Sequence, residues 1–136
     1  MKRKNILYWT TLLLAAIVLG ASGVLSVMHA APMMSALHHL GYPNYFVNIL
    51  AMGKMVGLVI LLGPKMPRLK EWAYSGFTIT ILSACYSHLS LGDGWLAIEP
   101  LVTFLFLMLS YVYRPVDRRV AGGDISISGP AITPTR

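Results

Sequence analysis

Four stretches of the sequence, Ile6 to Met28, Tyr45 to Gly63, Trp72 to Leu91 and Trp95 to Tyr113, are dominated by apolar side chains. Each is close to the roughly 20 residues that a helix needs to cross a hydrocarbon layer about 30 Å thick. Lipid offers no partner to bare backbone, so segments of this length must be helices rather than isolated strands. With 56 % hydrophobic and only 12 % charged residues, the 136-residue chain has too little polar surface to cover a water-soluble globule. The expected fold is all-α, an integral membrane bundle of four transmembrane helices formed by residues 1–113. Residues 114–136 form a separate tail, basic and then disordered. No polar segment is long enough to bury a second core. Aromatic side chains fall near the proposed boundaries, among them Tyr8, Trp9, Tyr42, Tyr45, Trp72, Tyr74, Trp95, Tyr111 and Tyr113. That is where amphipathic rings favour the headgroup level.

Charge distribution orients the spans. Lys2, Arg3 and Lys4 precede the first; Lys65, Arg68 and Lys70 separate the second from the third; Arg114, Arg118, Arg119 and Arg136 follow the fourth. The loops Met28 to Asn44 and Leu91 to Trp95 carry no Lys or Arg. Cytoplasmic flanks retain positive charge, so four spans gather the three basic segments on the cytoplasmic side of the cell (inner) membrane with both termini. Three or five spans would split them. The net charge of +6 does not indicate a nucleic-acid binder, because the basic residues sit in short runs between apolar stretches rather than on one folded face. A basic start followed by an apolar run also opens a secretory signal peptide, with a conceivable cleavage near Ala21. The run continues past signal length to Met28 with no clear A-x-A site, so retention is expected. In the first outer loop Pro32 suits a helix start and Gly41 a stop, with Met33, Leu37 and Leu40 on one face, predicting a short amphipathic helix. The Gly, Ser, Pro and Thr of Ala121 to Gly123 and Ile132 to Thr135 predict disorder.

Lys54 is the only one of the eleven Lys and Arg residues inside a span, about 15 Å deep. A midplane lysine costs roughly 2.5 to 3.5 kcal/mol on insertion scales, so it should face the interior and find a partner, or lose its proton. His88, near the end of the third span, and Glu99, about a turn into the fourth, are the candidates. Gly76, Thr80, Ala84 and His88 recur every four residues, and Glu99, Thr103 and Ser110 lie close to one face. Gly53 and Gly57 form a GxxxG pair beside Lys54, and Ala16 with Gly20 and Ser22 with Ser26 repeat the small-residue spacing on the first span. Three readings stand side by side. Lys54, His88 and Glu99 form a buried network that only fixes helix register; they line a polar pocket for a small molecule or quinone headgroup; or they belong to a proton or solute pathway.

Other polar residues read as structural. His38 and His39 are neighbours about 100° apart on a helix, a poor chelate, and with His29 they suit the surface; no metal site is expected. Cys85 lies one turn before His88, but a lone buried cysteine is usually a packing residue, and a single cysteine excludes an intrachain disulfide. Asp93 between Gly92 and Gly94 reads as a tight turn. No catalytic triad, phosphate loop or zinc signature appears, and no catalytic residue is assigned.

Several of these residues, taken in order, resemble the DoxX-like family of small bacterial membrane proteins. They are Ser22-Gly23, His39-Leu40-Gly41-Tyr42-Pro43, Lys54 with Gly57, Leu69-Lys70-Glu71-Trp72-Ala73-Tyr74 and Ser87-His88-Leu89. The likeness runs from about Tyr8 to Tyr113. It implies a compact bundle of four transmembrane helices and a loose association with oxidoreductase systems, since the family takes its name from a subunit of a thiosulfate:quinone oxidoreductase. Fold-level analogy does not carry chemistry across. The leading expectation is a non-catalytic accessory or small-molecule binding component of a membrane redox or envelope system. Its partners would be the lipid bilayer with a redox protein or a small hydrophobic molecule, and the cofactor stays unassigned, a quinone being one candidate. The rivals are a quinone-linked oxidoreductase subunit using Lys54, His88 and Glu99, and a small proton-coupled carrier.

Overall fold

A computed structural model describes residues 2–119, and all regular structure among them is helical. In chain order the elements are α1 (Lys2–Val27), α2 (Ala31–His39), α3 (Asn44–Leu62), α4 (Pro67–Ser90), α5 (Ile98–Val112) and a 3-10 turn at Val116–Arg118. Helix α1 packs on α3 and α5, and α4 packs on the same two. The four long helices therefore close a ring in which α1 and α4 are diagonal. Tyr8, Leu12, Ala15 and Leu19 recur at spacings of four and three and put one seam of α1 into the core. Leu58 and Leu61 of α3, Tyr74, Phe77 and Ile81 of α4, and Leu107 of α5 meet it there.

The outside of this ring is apolar as well. Ile17, Val59, Ile79 and Val112 point away from the core and are largely exposed, as are Trp72 and Trp95 at 79 % and 81 %. Such continuous apolar surface far exceeds what a soluble monomer tolerates. By length and composition α1, over Arg3–Val27, and α3 are long and apolar enough to cross a membrane, whereas α5 is apolar but shorter. Helix α4 has the length, but Lys70, Glu71 and a row of hydroxyl residues dilute its apolar character.

Element ends explain where sequence and structure part. Helix α5 starts at Ile98, not Trp95, because Pro100 is then in the first turn, where its missing N–H has no intrahelical partner to lose. A start at Trp95 would drive the Pro100 ring against the Leu96 carbonyl. Helix α4 starts earlier than its apolar run, with Pro67 in the first turn after a left-handed Met66. The short helix expected in the first loop is α2; Met33, Met34 and Leu37 are its half-buried residues, and Leu40, which follows it, is half-buried as well. Gly41 (φ 81°) ends it, with the Tyr42 N–H returning to the Leu37 carbonyl at 3.0 Å. Gly92 (φ 80°) ends α4 the same way, through Asp93 N–H to the His88 carbonyl at 2.8 Å. The tail expected to be disordered, Ala121 to Gly123 and Ile132 to Thr135 included, lies outside the described residues.

Candidate functional site

The two ends of the ring are built differently. At the basic end, where the α3–α4 loop meets the end of α5, Lys70 is 0 % exposed. Its Nζ donates to the carbonyls of Ile60 at 2.9 Å, Leu61 at 2.8 Å and Gly63 at 2.6 Å. The last carbonyls of a helix lack intrahelical partners and carry the negative end of its dipole, so one ammonium satisfies the α3 terminus. Burial first, then the charges of Arg118 and Arg114, push Lys70 down to about 8, which leaves it a cation near neutrality.

Around it, Arg114, 4 % exposed, donates to Glu71 and lies over the rings of Tyr111 and Tyr74, 4.9 and 5.5 Å from their centroids. Burial opposes ionisation of Glu71, but hydrogen bonds from Arg114 and Tyr111 and the Arg114 charge outweigh it and hold the carboxyl below the usual glutamate range. Arg118 sits 4.6 Å from the Trp9 ring centroid and donates to the Tyr8 hydroxyl at 3.4 Å. Residues read from sequence only as orienting charges thus fasten α1, α3, α4 and α5 together.

Near the middle of α3 the packing opens. A cavity of about 550 Å³ runs along the α3–α4 groove from Leu37 of α2 and the adjoining Leu40 down to Leu69 and Trp72. Among the described residues Lys54 is the one charged residue lining it; Tyr42, Thr80 and Ser83 add hydroxyls, and the remaining walls are apolar. Exposed Ile49, Val56, Ile79 and Trp72 on its rim make it open sideways, toward the surface where lipid would lie.

The glycines shape this cavity unequally. A Cβ on Gly57 would come within 2.8 Å of the Phe77 ring, so that glycine accommodates an aromatic edge. Gly53 and Gly76 have nothing within 4 Å of a Cβ, and both line the cavity. The GxxxG pair therefore does not bring two backbones together as expected: one glycine packs and the other leaves space. The close helix approach lies on the other side of α3, where a Cβ on Gly23 would meet the Met55 sulfur at 3.2 Å and Lys54 Cβ at 3.5 Å.

The partner of Lys54 is one that sequence reasoning missed. Its Nζ donates to Ser22 Oγ at 3.0 Å, and Ser22 donates its own proton to the Leu19 carbonyl at 3.1 Å. The sequence signals were the Ser22–Ser26 spacing on α1, which reads first as packing, and Ser22-Gly23 among the family motifs, which does not name a partner. Glu99 is exposed at the start of α5 and accepts a 3.4 Å bond from Thr103. His88 is half-buried, and its Nδ1 has no hydrogen-bond partner among the described residues. No hydrogen bond among those residues joins Lys54, His88 and Glu99, and only Lys54 lines the cavity.

At the α2 end, His39 Nε2 donates to Asp93 Oδ2 at 2.7 Å. The Tyr42 hydroxyl donates to Ser87 Oγ at 2.8 Å, since Ser87 gives its proton to the Ser83 carbonyl. The first bond ties the end of α2 to the α4–α5 loop, and the second ties the α2–α3 loop to α4. His38 bonds Asn44 Oδ1 at 2.5 Å and His29 bonds the Val27 carbonyl at 3.1 Å, so each loop histidine has a local partner.

The model of the DoxX-like family matches residues 10–112, from α1 to the last residue of α5. No curated protein and no solved structure matches the chain.

Proposed function

Because this chain belongs to the DoxX-like family, and so is a membrane protein, we propose that it is a non-catalytic component that binds a small hydrophobic molecule between α3 and α4. The observation that carries this reading is the sideways-open cavity of about 550 Å³ with Lys54 as its one charged residue. That volume lies in the range of ordinary ligand pockets, which combine apolar walls with a few polar groups that fix orientation. Lys54 is the binding residue, Glu99 acts on it through charge, and His88 stands on the adjacent helix with no partner for its Nδ1 among the described residues. The system served is a membrane redox or envelope system, and a quinone is one candidate occupant.

In this reading all four long helices cross the inner membrane and both termini are cytoplasmic. Support comes from charge: Arg3, Lys4, Lys65, Arg68, Arg114, Arg118 and Arg119 all belong to the basic end, and the α2 end has no Lys or Arg. A tag placed after Arg119 should be protected from outside labelling; its labelling in intact cells would sink the four-span arrangement. The binding reading is tested by mass spectrometry of molecules that co-purify with the full chain in mild detergent. Gly53→Leu and Gly76→Leu, at two lining positions where an added Cβ meets nothing within 4 Å, should lose a molecule that the parent protein retains. An unchanged set of bound molecules would overturn the reading.

A further inference from the structure

Building on the binding reading above, we infer that the occupant of the α3–α4 cavity is a single-chain lipid with a carboxylic acid head, its carboxylate paired with Lys54. An ammonium has three donors, and Lys54 uses one of them on Ser22. The remaining lining has no acid to take the others: Tyr42, Thr80 and Ser83 are neutral, and Glu99 stands outside it. In surroundings of low dielectric an unpaired ammonium is costly, and a charge-assisted bond to a carboxylate is among the strongest that can satisfy it.

Space and depth narrow the class further. Gly53 adjoins Lys54, and Gly76 lines the facing helix; with no side chains there the cavity has room for a head group. A two-chain phospholipid keeps its charged head at the interface, about 15 Å from the middle of a 30 Å hydrocarbon layer. A single-chain acid crosses hydrocarbon in its neutral form and reaches Lys54 through the sideways opening. Its proton ends on Nζ if the amine is neutral, or is released to water if it is already an ammonium; no other bond forms or breaks. The apolar walls on either side of Lys54, from Leu37 and Phe46 to Ile60 and Trp72, receive the chain.

The test titrates palmitic acid, methyl palmitate and hexadecanol separately into the full chain in detergent and counts adducts by native mass spectrometry. The acid should half-saturate at least about tenfold below the ester and the alcohol, the discrimination expected of a hydrogen bond to a charged group. Lys54→Met should bring the acid to the level of the ester, and Gly53→Leu should weaken all three together. Equal binding of the three by the parent protein, or an acid preference that survives Lys54→Met, overturns the carboxylate inference and leaves the cavity reading standing. Insensitivity of all three to Gly53→Leu removes both. If Lys54→Met does not accumulate, Glu99→Gln decides, because removing a competing negative charge from an exposed position should tighten the acid a few-fold and leave the ester unchanged. An unchanged acid affinity in Glu99→Gln overturns the inference.

Discussion

Lys70 and Lys54 are both lysines turned into the bundle, and they answer the burden of a buried amine in opposite ways. Lys70 is enclosed, with three carbonyls of α3 and its following loop around its nitrogen. Lys54 has one hydroxyl, on α1, and a cavity beside it. The first arrangement completes a helix terminus that would otherwise leave acceptors unpaired. The second leaves donors over, in a place where an apolar residue would pack better. The basic end is built for stability, and the middle of the α3–α4 groove gives up packing for an opening.

The sharpest way to break this comparison is to remove each nitrogen. Lys70→Met strands the carbonyls of Ile60 and Leu61, while Gly63 keeps a bond from Arg118, and should destabilise the folded protein by about 2 kcal/mol or more, since each unsatisfied buried acceptor costs about 1 to 3 kcal/mol. Thermal unfolding in detergent, read against the parent protein, measures it. The titration of Lys70 adds a sign. Its folded value of about 8 lies below the ordinary 10.5, so its protonation penalises the folded state fully below pH 8. The penalty is relieved as pH rises through the window up to 10.5. The margin of the parent protein over Lys70→Met should therefore widen across that window; a constant margin would mean that Lys70 titrates normally.

The glycine pair gives the next largest contrast. Gly57→Leu drives a side chain into the Phe77 ring and should cost about 1 to 3 kcal/mol, as overpacking does. Gly53→Leu, four residues earlier, enters open space and should change stability by less than about 1 kcal/mol. Equal losses would mean that the groove is not open at Gly53.

These sites also mark how far the sequence could be read. Hydrophobic length located α3 and the end of α1 to within a residue, because their apolar runs are long enough to outweigh a single Lys54. It overshot the start of α5 because a window average does not register that Pro100 tolerates only a first-turn position. Lys54 was evident as an interior residue from its depth alone. Ser22 was not evident as its partner, because a helical period places a hydroxyl on a face without saying which neighbouring helix that face meets. Lys70 was counted as a flanking charge for a similar reason: its work depends on where α3 ends relative to the first turn of α4, a distance set by the left-handed Lys65 and Met66 in the loop. Glu99 looked buried by its position in the apolar run and is exposed because the helix begins just before it.

A smaller effect separates the basic end from the α2 end on acidification. The Glu71 carboxyl is held below its usual range by Arg114 and Tyr111, so its contribution to stability is present at neutral pH and above. It is lost as pH falls through the folded value. Glu71→Gln should therefore flatten the acid limb of the unfolding profile. The partly exposed His39–Asp93 pair should contribute less than about 1 kcal/mol when His39→Ala removes it. If the loop pair governed the acid limb, the basic end would not be the main fastening.

The smallest predicted effect bears most directly on the comparison. Lys54→Met removes one hydrogen bond, which contributes about 1 kcal/mol, and with it the burden of keeping an amine in apolar surroundings. Ser22 is left with its bond to the Leu19 carbonyl, so no buried proton is stranded on α1. The two terms oppose each other, and thermal unfolding should shift by less than about 1 kcal/mol in either direction. Insertion should also be unaffected, because orientation follows the flanking Lys and Arg residues rather than a charge at mid-depth. A loss as large as that of Lys70→Met would make Lys54 a second structural fastening and remove the reason to look for a ligand beside it. A neutral result would leave a charged group in the bundle that folding does not require.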